Sequence, residues 1–141
     1  MPPGKKLDLS PSSVLLIHGY RSRGHAPKSK FLLVIGAETD TRALGFLISS
    51  QAHWMSSPPH RRETVVIPDR ATSFLSRESY IQCWVLERLD IPRLEQGLET
   101  GQVKRCGKLP TRYLYKIRDV VRQSFLLEQD DAEAVLQVLG L

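Results

Sequence analysis

The chain carries very little sulfur chemistry. Its two cysteines, Cys83 and Cys106, stand in segments of strand-like pattern, which favours buried, reduced thiols over a disulfide framework. Neither these nor His18, His25, His53 and His60 fall in a Cys-x-x-Cys, His-x-x-x-His or comparable spacing, so no metal and no cofactor is expected. A Walker loop, a Gly-x-Gly-x-x-Gly after a strand and a Gly-x-Ser-x-Gly elbow are missing, which leaves nucleotide hydrolysis and serine-hydrolase chemistry without support. No apolar run approaches the ~20 residues that a membrane span requires, and no long apolar segment follows Lys5 and Lys6. The expectation is a cytoplasmic protein with no membrane partner.

What is present is an ordinary globular composition with an uneven charge map. With 41% hydrophobic and 25% charged residues, 141 residues make one domain able to bury a real core. The net charge of +5 is concentrated. Arg21, Arg23, Lys28 and Lys30 stand near the start, and Lys104, Arg105, Lys108, Arg112, Lys116, Arg118 and Arg122 cluster later, whereas residues 125–141 carry acids and no cation. If the two basic segments meet in the fold they form the footprint of a polyanion site; charge bias alone describes a solvated, mildly basic surface equally well.

Apolar periodicity predicts a β-rich front and a helical tail. Residues 1–13, with Pro2, Pro3, Gly4 and Pro11, lack periodicity and read as a flexible arm ahead of a single domain over 14–141. Strands are predicted at 14–18, 31–35, 44–48, 64–67 and 102–106, as short apolar runs bounded by turn residues. A longer one at 79–86 alternates, with Ile81, Cys83 and Val85 on one side and Tyr80, Gln82, Trp84 and Leu86 on the other. Residues 49–62 read as a long loop. Asp90 is placed to cap a short helix with Pro92 in its first turn and Gly97 at its end. After Pro110, the stripe Leu114, Ile117, Val121 and Phe125 has helical spacing, and Asp130 with Glu133 reads as a capping box for a last helix. Strands this short favour a small closed barrel or a sandwich, since closure removes unpaired edges.

The first three strands form the most distinctive unit: Val14-Leu15-Leu16-Ile17-His18, a basic loop from Gly19 to Lys30, an apolar strand from Phe31, and a third strand closing in Ile48-Ser49-Ser50-Gln51. This order resembles the MazF and PemK toxins, in which a strand leads to a loop with glycine and arginine, then an apolar strand, then one closing in Ile-Thr-Ser-Gln. The likeness runs over roughly residues 12 to 126 and rests on the order of elements. Lys28-Ser29-Lys30 replaces that family's double arginine before proline. The resemblance implies a mainly β fold with C-terminal helices, a small SH3-like barrel. It also implies a homodimer, an antitoxin partner, and metal-independent cutting of single-stranded RNA through attack by the 2′-hydroxyl.

Such cleavage needs a base for the 2′-hydroxyl, an acid for the leaving oxygen, and donors that hold the charge developing on phosphorus. By position, Arg21 or Arg23 matches the family's loop arginine and Ser49 its threonine. A guanidinium offers a planar fork to phosphate and a serine can position an oxygen. His18 and His25 can move protons near neutrality, although a histidine at a strand end also serves as a half-buried, singly bonded side chain. His25, Lys28, Lys30, Ser50, Gln51, Trp54, Lys104 and Arg105 are the expected RNA contacts. Trp54, Trp84 and Tyr80 can stack on unpaired bases, and Trp84 can equally belong to the core. The alternative is a non-catalytic nucleic-acid- or protein-binding module on the same fold.

Overall fold

The computed structural model describes residues 10–21 and 27–141. In chain order these form β1 (Ser13–Tyr20), β2 (Lys28–Ala37), β3 (Arg42–Ser49), a single 3-10 turn (His53–Ser56), α1 (Pro58–Arg62), β4 (Thr64–Ile67), β5 (Ser79–Gln82), β6 (Glu87–Asp90), α2 (Ile91–Thr100), β7 (Val103–Lys108), α3 (Arg112–Arg122) and α4 (Gln129–Leu139). All pairings are antiparallel, in the order β4-β5-β3-β2-β1-β7, with β6 also on β3. The sheet is an open path with edges at β4 and β7, and among the described residues no pair closes it.

The near-continuous apolar runs of β1 to β3 are explained by burial on both faces. Val14, Leu33, Ile35, Leu44, Phe46 and Ile48 join Tyr113, Ile117, Val121 and Val135 under α3 and α4. Leu15, Ile17, Leu32, Val34, Ala43 and Leu47 join Leu94 and Leu98 of α2 on the other side. Successive side chains of a strand alternate between the faces, so one apolar segment feeds two cores. Glycines permit the tightest approaches. A Cβ on Gly36 would meet Val138 of α4 at 2.7 Å, and one on Gly97 would meet Val103 at 2.5 Å.

Several expectations need correction. The strand at 79–86 is broken: β5 stops at Gln82, where the Cys83 N–H turns to the carbonyls of Glu63 and Ile81, and β6 resumes on the same edge of β3. The kink places Leu86 in the same cluster as Ile81 and Cys83 rather than opposite them. Residues 49–62 are not structureless, because Pro58 and Pro59 start α1, where a missing N–H costs nothing. Asp90 does occupy the N-cap position of α2, with Pro92 in the first turn, but its side chain makes no capping hydrogen bond. Gly97, however, lies inside that helix against Val103, and Gly101 at φ 84° closes it. α3 ends at Arg122, so Phe125 falls beyond the stripe and is 90% exposed. Glu128, not Asp130, is the N-cap residue of α4, and Glu133 accepts a hydrogen bond from Gln129 Nε2 at 3.2 Å. Cys83 sits in the turn and Cys106 in β7, both as free thiols.

Residues 1–9 of the expected arm lie outside the described residues. Ser12 and Ser13 are buried; the Ser12 N–H donates to the Val34 carbonyl and its own carbonyl accepts from Leu109. Among the described residues no helix is long and apolar enough to cross a membrane.

Candidate nucleic-acid interface

The strand register decides which candidates meet. Ile17 stands opposite Lys30 and Leu16 opposite Phe31, while Phe31 stands opposite Ile48, so the C-terminal ends of β1 and β3 flank the N-terminal end of β2. His18 and Ser29 share the α3/α4 face there, and His18 Nδ1 is 2.8 Å from Ser29 Oγ. The backbone N–H of His18 donates to the Gln102 carbonyl at 2.8 Å, and its carbonyl accepts from Gln102 Nε2, which fixes the strand end beside β7. Lys28 and Lys30 point to the opposite face, since Lys30 pairs with Ile17 and Lys28 with Tyr20 across an irregularity that includes Gly19 at φ 68°. The register continues to Ser49, the residue after Ile48, on that same face.

Not all candidates converge. Arg21 is exposed at the end of β1, and β2 lies between it and Ser49, two strand spacings or roughly 10 Å across the sheet. Ser49 Oγ accepts the Gln51 N–H at 3.1 Å, closing a turn that ends β3; Ser50 and Gln51 follow, both exposed. Arg23 and His25 lie outside the described residues. Lys104 and Arg105 flank the group on edge strand β7, opposite Leu16 and Leu15, and therefore on opposite faces.

Trp54 is half-buried rather than splayed out. Its ring meets Tyr80 and Trp84 edge-on at 6.2 Å each, and the indole N–H groups of Trp54 and Trp84 are buried without hydrogen-bond partners among the described residues. Tyr80 stands opposite Ser49 and donates its hydroxyl to Glu78 Oε1 at 2.6 Å, which raises its pKa. Burial foremost, together with the charge and hydrogen bond of Glu87, pushes the Tyr20 hydroxyl far above its ordinary range. Burial likewise raises the Cys106 thiol, which does not favour a reactive thiolate.

Sequence reasoning missed the loop between β4 and β5. Residues 68–78 fold over the α3/α4 face of the sheet, where Phe74, Leu75, Ser76 and Arg77 with Phe31 and Ser50 line a pocket of about 280 Å³. The loop has no periodicity to announce it; only Phe74-Leu75 in a run of Ser, Thr, Arg and Asp hints at an anchor. Among the described residues no group of three or more His, Cys, Asp or Glu side chains could hold a metal ion. No protein-family model matches the chain, and no curated protein matches it.

Proposed function

We propose that the protein binds single-stranded RNA at this end of the sheet and cuts it in the manner of the MazF and PemK toxins. The observation that carries the reading is that the strand register brings His18 and Ser29, on one face, and Lys28, Lys30 and Ser49, on the other, to the same end of the sheet where β1, β2 and β3 meet. In the proposed step the 2′-oxygen bonds to phosphorus and passes its proton to His18. The 5′-oxygen leaves with a proton from a second donor, giving a 2′,3′-cyclic phosphate and a 5′-hydroxyl. Arg21 stabilises the charge on the phosphoryl oxygens, with Arg23 and His25 in the same loop as further candidates, and Ser49 positions the substrate. Ser50, Gln51, Trp54, Lys104 and Arg105 extend the RNA path. No metal or other cofactor takes part.

The finer fold belongs to the same proposal: a divergent SH3-like barrel, left open between β4 and β7. Two observations support a strongly curled sheet. Tyr20 of β1 lies near enough to Glu87 of β6 for that carboxylate to raise its pKa although β2 and β3 intervene, and Phe74 from the β4–β5 loop packs on Gly107 of the far edge strand. A homodimer, an antitoxin whose acidic or apolar segment covers the basic end, and a cytoplasmic location complete the reading.

The second reading, a non-catalytic binding module, is favoured by the separation of Arg21 from Ser49 and by the engagement of Ser49 Oγ with its own turn. Incubating labelled single-stranded RNA with the protein in chelator separates the two. Cut RNA ending in cyclic phosphate supports cleavage. Salt-dependent retention without cutting supports the module, because phosphate contacts release counterions. Absence of retention at low salt overturns both.

A further inference from the structure

We infer that the pocket between the end of the sheet and the Phe74–Arg77 segment holds one unpaired base of a single RNA strand; this deepens the RNA reading above and rests on it. Phe31 of β2 and Phe74 of the loop contribute two aromatic rings to the lining of a space of about 280 Å³. That is just below the ~300–1,000 Å³ of clefts that take drug-sized ligands, so the space suits a single flat ring system rather than a large ligand. Ser50 and Ser76 stand on the rim, both exposed, and supply hydroxyls of the kind that read the edges of a base. Ser79 also lines the pocket, but its hydroxyl already donates to the Arg77 carbonyl at 2.9 Å.

Arg77 sets the charge of the site. It is exposed, its guanidinium has no ion-pair partner among the described residues, and the adjacent Glu78 carboxylate is taken by the Tyr80 hydroxyl. A planar fork beside a pocket lined in part by aromatic rings suits the phosphate attached to a nucleotide whose base is inside. The location agrees with this use. Ser29 lies two residues before Phe31 and on the same face, about 7 Å along the strand, and it carries the bond to His18. A base seated against Phe31 therefore leaves its ribose and phosphate between Arg77 and the His18–Ser29 pair. Base stacking on aromatic side chains tolerates any sequence, since every base has a π-face, and gives grip that phosphate contacts alone lack.

The test uses two fluorescent eight-nucleotide probes in chelator, both 2′-O-methylated so that neither can be cut. One carries uracil throughout and the other is abasic with the same phosphates. Wild type should bind the base-bearing probe roughly tenfold or more tightly than the abasic one. Ser76→Trp, at an exposed rim position, should fill the pocket and abolish that preference while leaving abasic binding and thermal melting unchanged; Ser50→Trp, in the RNA path itself, should abolish the preference too. Arg77→Ala should weaken both probes and flatten the salt dependence by about one counterion. Equal binding of the two probes by wild type, or an undiminished preference in both tryptophan variants, overturns the pocket while leaving RNA binding intact. Failure to bind either probe at low salt overturns the RNA reading and the pocket with it.

Discussion

Phe74 lies so close to Gly107 that a Cβ on the glycine would sit 2.6 Å from the Phe74 Cε1 atom. One residue belongs to the loop that follows edge strand β4, and the other to edge strand β7 at the opposite end of the strand order. Gly107 is also held at φ 154°, where a side chain is strained. Gly107→Ala should therefore cost about 2 kcal/mol or more, read from the urea midpoint. Combining it with Phe74→Ala should cost less than the sum of the single changes, because the clash vanishes and only the backbone strain stays. Strict additivity would show that the ring does not press on the glycine.

Glu63 pins the C-terminal helices to the sheet. The residue is 5% exposed, and its carboxylate accepts hydrogen bonds from the Phe125 N–H at 2.9 Å, the Leu126 N–H at 3.0 Å and the Ser124 hydroxyl. Glu63→Ala strands three donors of the turn between α3 and α4 and should destabilise by about 2–4 kcal/mol. Glu63→Gln keeps one carbonyl acceptor and should lose less. Amide exchange at Phe125 and Leu126 should accelerate in both variants.

Ile117 and Phe125 should behave oppositely. Ile117 of α3 is fully buried against the sheet, so Ile117→Asp places an unpaired charge in the core at a cost of several kcal/mol, against the ~5–15 kcal/mol that holds a domain folded. It should unfold the protein. Phe125→Asp, at a site 90% exposed, should leave the melting temperature nearly unchanged. Circular dichroism melts of the two variants check both statements.

Tyr20 makes stability depend on alkaline pH. Its folded pKa is raised from an ordinary value of 10.0, first by burial and then by Glu87, so the folded protein keeps a proton that the unfolded chain releases. The contribution is intact below about pH 10 and is lost as the pH climbs above it. Unfolding free energy should fall more steeply above pH 10 in wild type than in Tyr20→Phe. Parallel curves for the two proteins would remove Tyr20 from the account.

For the activity itself, Arg21→Ala should lower RNA cutting by roughly 10²-fold, as expected for one lost donor to a developing oxyanion. Arg21→Lys should also be harmful, because a point charge cannot replace two parallel donors. Melting should not change, since Arg21 is exposed. Unaltered cutting by Arg21→Ala and Ser49→Ala together would transfer the chemistry to the other residues of the basic end, or to none.

The residues that announced themselves in the sequence were those whose environment repeats. β1 to β4 and α3 follow short apolar runs or a 3.6-residue stripe, and both patterns come directly from burial. The stripe overran at Phe125 because the chain leaves the helix at Gln123 to reach Glu63, a partner 62 residues away that no local pattern encodes. The strand over 79–86 failed similarly, since its kink is fixed by the Glu63 carbonyl. Gly97 looked like a helix stop by residue type, yet it is there so that α2 can approach Val103. At the basic end, Ser49 and the lysines of β2 could be placed from strand order alone. Arg77 could not, because only tertiary folding of an aperiodic loop brings it beside Ser50.

An open sheet leaves two rows of backbone groups that a foreign strand could extend. Here each row is guarded differently. β4 is only four residues long. β7 is longer, but its pairing slips near Cys106, and Lys104, Arg105 and Lys108 punctuate it with positive charge. A twisted, cationic edge is a poor template for a second identical edge, which would bring like charges face to face. Lys104 and Arg105, counted above as RNA contacts, therefore also protect the protein against stacking into fibrils together with Lys108, and neutralising the three would cost solubility before it cost the fold.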